Sequence, residues 1–436
     1  MMPQTQRAWA AIAAATVLTL PLGSIYAFSV FLKPIEAALG IPRAGLSFVF
    51  GMATVCYIVG MNLAPLLFRL ASPAWLTVAC GLLGAAGIGI AAAANGLAPL
   101  LLGYSVMFGI AGGAAYIILQ QGANLLVKSR RGLLNGYVLS LYPGGAMIAA
   151  PLFGWGIAAF GYPATLWGLS ATLVVTGLVA AALTVHAGSV LPGRAGRALP
   201  PRSQGALPPQ PPGALPPRPP GALRPRPPSA LPPRASGMLP GRGERQFGLL
   251  LRLWALFFLA AAAGLTVLSQ AVGVITAYGG DTATALAATT GVTAVIAAAR
   301  VIGGWLTDRF PAPFVGAFAH AVALSGTVLL TLFPSPLIVV VSLGLIGAGY
   351  GLISGCTVGA ITIYWVPAAF GWAAGRVYIA WCVAAVTLPV LAGHLYDLTH
   401  GYETTFMIAG CGNLLGVVVA LGLPRGRPVL AQAGAG

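Results

Sequence analysis

One arginine stands deep inside an otherwise apolar segment of the sequence. Arg300 lies eight residues before Asp308, the next charged residue along the chain. At 1.5 Å of rise per helical residue, this spacing puts Arg300 about 12 Å from the end of the segment. A planar guanidinium can bind both oxygens of one carboxylate, so the expected chemistry is recognition of an organic acid. The alternative is a structural role, in which the long side chain extends to the nearest polar boundary and bonds to helix ends.

Polar and aromatic side chains at comparable depth in other apolar segments are candidates to contact the same ligand. Each could donate a hydrogen bond to a carboxylate or a hydroxyl, or could only join neighbouring helices. The predicted substrate-binding set is Arg300 together with Tyr26, Tyr116, Gln120, Gln270, Tyr350, Trp381 and Cys382.

The composition identifies lipid as the solvent for most of the chain. Of 436 residues, 58% are hydrophobic and 6% are charged, whereas a soluble domain carries about 25% charged residues. The basic residues behind the net charge of +16 stand in short gaps between apolar runs, which argues against nucleic-acid binding. The five cysteines occur singly and are interpreted as small apolar residues. No cofactor or metal site is predicted.

Apolar runs long enough to cross a bilayer recur along the chain. A hydrocarbon core about 30 Å thick needs roughly 20 apolar helical residues, because backbone polar groups in lipid must bond within their own segment. The sequence therefore predicts an all-α membrane protein with twelve transmembrane helices. The twelve runs are residues 8–32, 44–67, 74–94, 97–127, 133–159, 164–186, 247–278, 283–307, 312–333, 336–366, 373–396 and 404–423.

Lysine and arginine positions predict the orientation of these spans. With the long central loop set aside, one side collects nine basic residues and the other side only Lys33 and Arg43. Because basic loops are retained in the cytoplasm, both termini are predicted to be cytoplasmic in a multi-pass protein of the cell (inner) membrane. The nine residues are Arg7, Arg69, Lys128, Arg130, Arg131, Arg309, Arg376, Arg425 and Arg427.

A proline-rich segment separates the first six spans from the last six. Seventeen of the 35 prolines fall between residues 187 and 246, in octapeptide repeats that begin at Gly205, Gly213 and Gly221. Such a segment is expected to be extended or disordered, and its arginines favour a solvated tether near anionic headgroups over a docking site for a proline-binding domain. The predicted organisation is residues 1–186, a linker at 187–246, and residues 247–436.

The two halves resemble each other in sequence. The segment from Gly60 to Arg69 at the end of span two corresponds, 240 residues later, to the segment from Arg300 to Arg309 at the end of span eight. Two similar sets of six spans predict two pseudo-symmetric six-helix bundles with a cavity between them, which is typical of alternating access. Both bundles lie on one polypeptide, so a functional monomer is expected.

The loop motifs resemble those of the major facilitator superfamily (MFS). Gly304-Trp-Leu-Thr-Asp308-Arg309 is similar to the family's Gly-x-x-x-Asp-Arg motif between helices eight and nine. The first half has Phe68-Arg69 at the corresponding place, so its acid is missing. The resemblance implies that Asp308 and Arg309 belong to a gating contact.

Three further stretches resemble the monocarboxylate transporter and oxalate:formate antiporter branch of that superfamily. They are Gly23-Ser-Ile-Tyr-Ala-Phe-Ser-Val-Phe31, Arg130-Arg131-Gly-Leu-Leu-Asn135-Gly136 followed by Pro143-Gly-Gly145, and Gly393-His-Leu-Tyr-Asp397-Leu-Thr-His-Gly401-Tyr402. The second stretch adds Arg131, Asn135 and Gly136 to the predicted gating residues. The resemblance also implies a substrate-binding arginine in helix eight, which favours that role for Arg300.

Departures from the branch narrow the expected substrate. Val30 and Ile296 stand where monocarboxylate transporters have a lysine and a proton-coupling aspartate, and Trp381 stands where oxalate-transporting relatives have a second cation. One arginine matches one carboxylate, whereas a dianion would need two positive partners. The predicted substrate is therefore a small monocarboxylate similar to lactate or pyruvate.

Coupling to protons has no obvious carrier in the sequence. No Asp or Glu lies within a predicted span, although such acids are the usual proton relays. His320 is a candidate because it titrates in the physiological range, but a lone histidine in an apolar helix is more often structural. The substrate carboxylate could carry the proton itself, and symport, antiport and uniport all stay open.

The predicted function is a secondary active transporter of monocarboxylates that works by alternating access. The alternatives are an oxalate:formate-type antiporter and an MFS exporter of other small organic compounds. A membrane-embedded enzyme is disfavoured, because the sequence has no intramembrane Asp pair, no HExxH motif and no suggestive Ser-His-Asp set. A non-transporting sensor that uses the linker as a docking arm is a further alternative.

Overall fold

A computed structural model describes residues 3–189 and 242–426 of the chain. Residues 190–241, which make up most of the predicted proline-rich linker, lie outside the described residues, as do residues 427–436. Within the described ranges the chain is helical and forms no β-strand. The prediction of an all-α fold is therefore confirmed.

In the described parts of the chain, eleven helices are long and apolar enough to span a membrane, and the longest of them contains two of the predicted spans. Counting that helix as two segments gives twelve, which we label α1 to α12 in chain order. They are α1 Gln4–Leu39, α2 Arg43–Leu67, α3 Pro73–Ala92, α4 Leu97–Leu126, α5 residues 131–160, α6 residues 162–187, α7 Arg242–Ala277, α8 Thr282–Thr307, α9 Ala312–Leu332, α10 Pro336–Tyr364, α11 Pro367–Thr399 and α12 Glu403–Leu421.

Gly161 separates α5 from α6. The helical stretch Arg131–Ala187 has 57 residues, which would reach about 86 Å as one straight helix, nearly three times the thickness of a hydrocarbon core. At Gly161 the backbone leaves helical geometry, with φ 81° and ψ 166°. This conformation is accessible to glycine because glycine has no Cβ. The chain therefore turns here, between the two spans that the sequence predicts at 133–159 and 164–186.

Glycine allows the helices within each half to approach closely. A Cβ on Gly113 of α4 would overlap the backbone carbonyl of Tyr57 on α2, and a Cβ on Gly355 of α10 would overlap the carbonyl of Arg300 on α8. Lipid provides no hydrophobic driving force between helices, so membrane bundles depend on such close packing. These contacts fix the backbone positions of Tyr57 and Arg300, whose side chains point into the centre of the molecule.

The two halves meet from mid-depth to one end of the helices. This end, which we call the basic end, carries Arg7, Arg69, Lys128 and Arg131. There α5 packs on α8 and α10, while α2 and α4 pack on α11. A Cβ on Gly132 would overlap the carbonyl of Gly304, so the α5 and α8 backbones are in direct contact. The basic end is therefore closed.

A small cleft of about 10 Å³, room for about one water molecule, lies between Trp381 of the second half and the first half, from mid-depth toward the opposite end. Its walls come from α1, α2, α5 and α11. In α1 the wall belongs to a 3₁₀ stretch, Gly23–Phe31, that follows Pro21. The lining residues are Ile25, Tyr26, Phe50, Thr54, Tyr57, Tyr142 and Trp381.

Candidate functional site

Arg300 lies at the centre of the molecule, between the two halves. Only 4% of its surface is exposed. Its Nη1 donates to the backbone carbonyl of Leu139 on α5 at 3.1 Å, and its Nη2 donates to the Tyr350 hydroxyl on α10 at 3.3 Å. The Nε atom is buried and has no hydrogen-bond partner among the described residues. The side chain therefore points neither to lipid nor to the end of the helix.

Tyr350 and Trp381 extend this arrangement to α11. The indole Nε1 of Trp381 donates to the Tyr350 hydroxyl at 3.0 Å, so this hydroxyl accepts from both Trp381 and Arg300. A phenol that already accepts two hydrogen bonds still has its own O–H to donate. The Tyr350 hydroxyl proton is thus available for an acceptor beside the guanidinium. The structure brings together three of the predicted site residues at this point.

Tyr26 joins this group from α1. Its hydroxyl is close enough to the Arg300 guanidinium to interact with it electrostatically. Its ring lies 6.3 Å from the Trp381 ring and 6.5 Å from the Tyr142 ring, with both pairs edge to face. Tyr26 and Trp381 also line the cleft. They therefore form the boundary between the cleft and the buried guanidinium.

Tyr116 belongs to a second layer on the side of the basic end. Its hydroxyl is 3.1 Å from the hydroxyl of Tyr378 on α11, and its ring lies 5.7 Å from the ring of Tyr142. Tyr57 completes this aromatic cluster, 5.5 Å from Tyr142 and 6.4 Å from Trp381. The cluster joins both halves across the mid-depth region.

Gln120 lies in an amide network rather than beside Arg300. Its Nε2 donates to Asn135 Oδ1 at 2.7 Å, and Asn124 donates to the same oxygen at 2.8 Å. Asn135 in turn donates to Asn124 Oδ1 and to the carbonyl of Arg131. The Gln120 Oε1 atom is buried, and no residue in the described ranges forms a hydrogen bond with it. The network ties α4 to the first turns of α5, so Asn135 has a structural role in holding these two helices.

The contacts described for Gln270 and Cys382 lie away from Arg300. Gln270 accepts a hydrogen bond from the Tyr402 hydroxyl at 3.3 Å, which joins α7 to the start of α12 within the second half. Cys382 is half-buried, and no hydrogen bond or ring contact described for it reaches Arg300. The arrangement gives neither residue a direct contact with the guanidinium.

The predicted gating residues meet at the basic end. Asp308 accepts hydrogen bonds from the backbone N–H groups of Gly132 at 2.7 Å and Leu133 at 2.8 Å. These groups belong to the first turn of α5, where helix N–H groups lack intrahelical partners and favour an anion. A Cβ on Gly136 would overlap the Arg300 carbonyl. Asp308 therefore caps a helix of the other half.

The two arginines of the gating motifs contact their own half. Arg309 stacks over the Trp305 ring, with its guanidinium carbon 4.2 Å from the ring centroid. Arg131 Nε donates to the carbonyl of Val127 at 2.9 Å. Both contacts hold the loops at the basic end in place.

A second contact between the halves uses residues that the sequence analysis missed. Gln121 of α4 donates to the carbonyl of Pro367 and accepts from the N–H of Gly371 at 2.9 Å, at the start of α11. Asn62 of α2 donates to the carbonyl of Gly375 at 2.9 Å. These contacts lie near the end of α2, where the first half lacks the acid of the loop motif. Two neutral amides therefore hold α11 at this position.

His320 joins three helices of the second half. Its Nδ1 lies 2.9 Å from Asn413 Oδ1 on α12, and its Nε2 lies 3.2 Å from the carbonyl of Leu256 on α7. The side chain is fully buried. None of the hydrogen bonds described for it connects it to Arg300, and its geometry is that of a helix-joining residue.

Comparisons with known proteins agree with this architecture. The sequence matches the family model of the Major Facilitator Superfamily over residues 13–362. It is 24% identical over 187 residues to an uncharacterized MFS-type transporter, YhjX, of Escherichia coli (strain K12). That match covers 42% of this chain and 44% of the relative, so the chain spans less than half of the relative's length.

The fold is also similar to solved transporter structures. The proton:xylose symporter XylE, bound to 6-bromo-6-deoxy-D-glucose, gives a TM-score of 0.69 at 14% identity and covers 99% of this chain and 100% of its own. The MFS transporter FucP in the outward conformation gives 0.64 at 14% identity, with 94% and 97% covered. Identities this low establish the fold alone. Since the family model covers most of the sequence, the chain belongs to the major facilitator superfamily.

Proposed function

We propose that this protein is a secondary transporter whose substrate is a small monocarboxylate. Family and fold support a transporter rather than an enzyme. The substrate class is inferred from Arg300. Among the described residues it is buried between the halves and bonded to two neutral groups, the Leu139 carbonyl and the Tyr350 hydroxyl, with Nε left over. A guanidinium near the bilayer midplane costs about 2.5–3.5 kcal/mol on insertion scales, so a functional partner is expected.

The distribution of acids supports an anionic substrate. The sequence has six Asp and Glu residues, and those with described side chains lie at the ends of helices: Glu36, Asp281, Asp308, Asp397 and Glu403. None of them is recorded as a partner of the Arg300 guanidinium, so a carboxylate brought by the substrate would be its ion-pair partner. The Nε–H and Nη2–H groups lie on one side of the guanidinium and can bind two oxygens of one carboxylate.

The surroundings of Arg300 favour a monoanion over a dianion. Trp381 and Tyr350 stand beside the guanidinium, and neither provides a second positive charge. The cleft beyond Tyr26 is lined mainly by aromatic rings. A substrate with one carboxylate and a small organic remainder fits one cation and an aromatic wall, whereas a dicarboxylate would leave a carboxylate desolvated and unpaired.

The access side follows from the expected orientation. If the basic end faces the cytoplasm, as the lysine and arginine distribution predicts, the closed contact between α5 and α8 lies on the cytoplasmic side. The cleft then opens to the outside, and this conformation is the outward-facing state of the cycle. Substrate would reach Arg300 past Tyr26 and Trp381.

Exchange of one anion for another is the coupling mode that the site favours. In the empty state Arg300 has no ion-pair partner among the described residues. Reorienting the empty carrier would move an uncompensated charge through a desolvated region, whereas the loaded carrier holds a neutral pair. Net proton symport is the second mode, in which a proton travels with the substrate.

Uptake of radiolabelled lactate into proteoliposomes tests the substrate class. Wild-type protein should accumulate lactate, faster when the vesicles contain unlabelled lactate, and should ignore xylose. Arg300→Lys should lose at least about 1.4 kcal/mol of anion recognition, or tenfold in uptake, because an ammonium cannot form the planar fork. Arg252→Lys is the matched control, because Arg252 is exposed and bonds to the Gly422 carbonyl. Full uptake by Arg300→Lys would contradict the proposal.

A further inference from the structure

Pro143 leaves one backbone carbonyl of α5 without its helical donor. In an α-helix the carbonyl of residue 139 would accept from the N–H of residue 143, but proline has no N–H. Pro143 is buried within α5, between Tyr142 and Gly144. A backbone carbonyl freed by proline inside a membrane bundle has to be satisfied by a neighbouring helix, a side chain or water.

The neighbour that satisfies it is Arg300. The Leu139 carbonyl accepts from Arg300 Nη1 at 3.1 Å, and both groups are buried. The donor belongs to α8 of the second half and the acceptor to α5 of the first. Two unfavourable groups, a freed carbonyl and a buried guanidinium, thus satisfy each other across the interface. Replacing the proline with any other residue would restore a competing donor for the carbonyl.

This contact also determines which edge of the guanidinium is left for a ligand. Nη1 is bonded to Leu139 and Nη2 to Tyr350, whereas Nε has no partner. Nε and Nη2 share one side of the planar group, and that side can receive the two oxygens of a carboxylate. Because Nη1 is bonded on the opposite side, rotation of the guanidinium away from this orientation would break the bond to Leu139.

We propose that Pro143 is a positioning residue of the transport site. It keeps the Leu139 carbonyl free to hold Arg300 Nη1, and it thereby presents the Nε edge to the substrate carboxylate. The inference rests on the proposed function for the identity of the ligand, but the bond from Arg300 to the Leu139 carbonyl that Pro143 leaves free is independent of it. Its two consequences are therefore tested separately.

The same contact depends on the closed basic end. Gly136, one turn before Leu139, faces the Arg300 carbonyl so closely that a Cβ would overlap it. Any movement that separates α5 from α8 removes the acceptor from Nη1. The guanidinium would then retain Tyr350 and the substrate carboxylate. Holding Arg300 through the Leu139 carbonyl is thus a property of the state with the closed basic end.

A substrate-free double-mutant cycle tests the contact itself. Pro143→Ala and Arg300→Met are compared singly and together by thermal unfolding of the full chain in detergent. Pro143→Ala should lower the Tm by about 2–4 °C in the wild-type background, because the charged donor loses or shares its acceptor. It should have no such effect in the Arg300→Met background. Equal shifts in both backgrounds would overturn the proposal, since the proline would then act without the arginine.

Pro151→Ala is the matched control for this cycle. Pro151 lies in the same helix but is exposed on the outer surface of α5. Its replacement should change the Tm equally with and without Arg300. If Pro143→Ala does not fold, Pro143→Gly, which restores the same N–H, is measured in the same way.

Lactate uptake tests the consequence for the site. Pro143→Ala should raise the KM about tenfold with a smaller change in Vmax, since one hydrogen bond that orients the guanidinium is lost. Pro151→Ala should leave the KM unchanged. An unchanged KM in Pro143→Ala would refute the positioning role. If wild-type protein takes up no monocarboxylate, the proposed function fails, while the unfolding cycle still decides whether Pro143 acts on Arg300.

Discussion

The amide of Gln121 gives the sharpest prediction about how the basic end stays closed. Gln121 is fully buried and makes two hydrogen bonds to the start of α11, one to the Pro367 carbonyl and one from the Gly371 N–H. Gln121→Leu keeps a side chain of similar size and removes both bonds. In the closed state the Gly371 N–H is then left without its partner and the Pro367 carbonyl keeps the Phe370 N–H, whereas in a state open at this end both groups reach water.

The cost follows from the burial of the two groups. The Gly371 N–H is buried, and losing its partner costs about 1–3 kcal/mol, while the half-buried Pro367 carbonyl adds about 0.5–1 kcal/mol. A total of about 1.5–4 kcal/mol acts on the closed state alone. It should raise the population of the state that is open at the basic end by about 10- to 900-fold.

Alkylation of a single cysteine measures this population. Ile117→Cys puts a thiol on α4 at a fully buried position that contacts Gly371, after the five native cysteines have been replaced by alanine or serine. A membrane-impermeant maleimide should react with it faster in Gln121→Leu by the factor above. Gln270→Leu is the control, because Gln270 bonds to Tyr402 within one half. A rate within about threefold of the parent protein, less than 1 kcal/mol, would refute the reasoning.

Two further substitutions give smaller or different effects. Asp308→Asn removes the charge from the cap on α5, but the carboxylate is exposed and screened. We therefore expect the closed state to lose about 1 kcal/mol, which gives about fivefold faster alkylation, less than for Gln121→Leu. An effect larger than that of Gln121→Leu would contradict this ranking. Gly161→Ala forces a Cβ into a backbone with φ 81° and should cost about 1–3 kcal/mol and lower the Tm, whereas Gly154→Ala, at an exposed helical glycine with open space around it, should not lower it. An unchanged Tm in Gly161→Ala would mean that the turn tolerates other residues.

The sequence alone was sufficient for the helices and for the central cation. Apolar run length predicts the spans because every backbone group in lipid must bond within its own helix. The distance of Arg300 from Asp308 likewise predicts its depth, since helical rise is constant. Tyr350 is placed by its position within its span, Trp381 by the family resemblance and Tyr26 as a further candidate, and the structure brings all three close to Arg300. The depth of a residue within its membrane span can therefore be predicted from a single sequence.

The direction in which a side chain faces is harder to predict from the sequence than its depth. Gln120 and Gln121 are adjacent, yet Gln120 joins the network around Asn135 and Gln121 reaches α11. A helix turns by about 100° per residue, so neighbours at one depth face different helices. Gln270 has the expected depth but bonds to Tyr402. The Leu139 carbonyl carries no side-chain signal at all, and the sequence analysis did not predict its bond to Arg300.

The two contacts that close the basic end follow the same principle but use different side chains. In each case a side chain of one half bonds to unpaired N–H groups in the first turn of a helix from the other half. Asp308 does so for α5 with an exposed carboxylate, and Gln121 does so for α11 with a buried amide. The charged cap gains from the helix dipole but is weakened by water, whereas the neutral cap keeps its full hydrogen-bond strength because it is buried. The loss of the acid beside Arg69 therefore need not weaken closure, because the buried amide holds α11 at the place where the motif is incomplete.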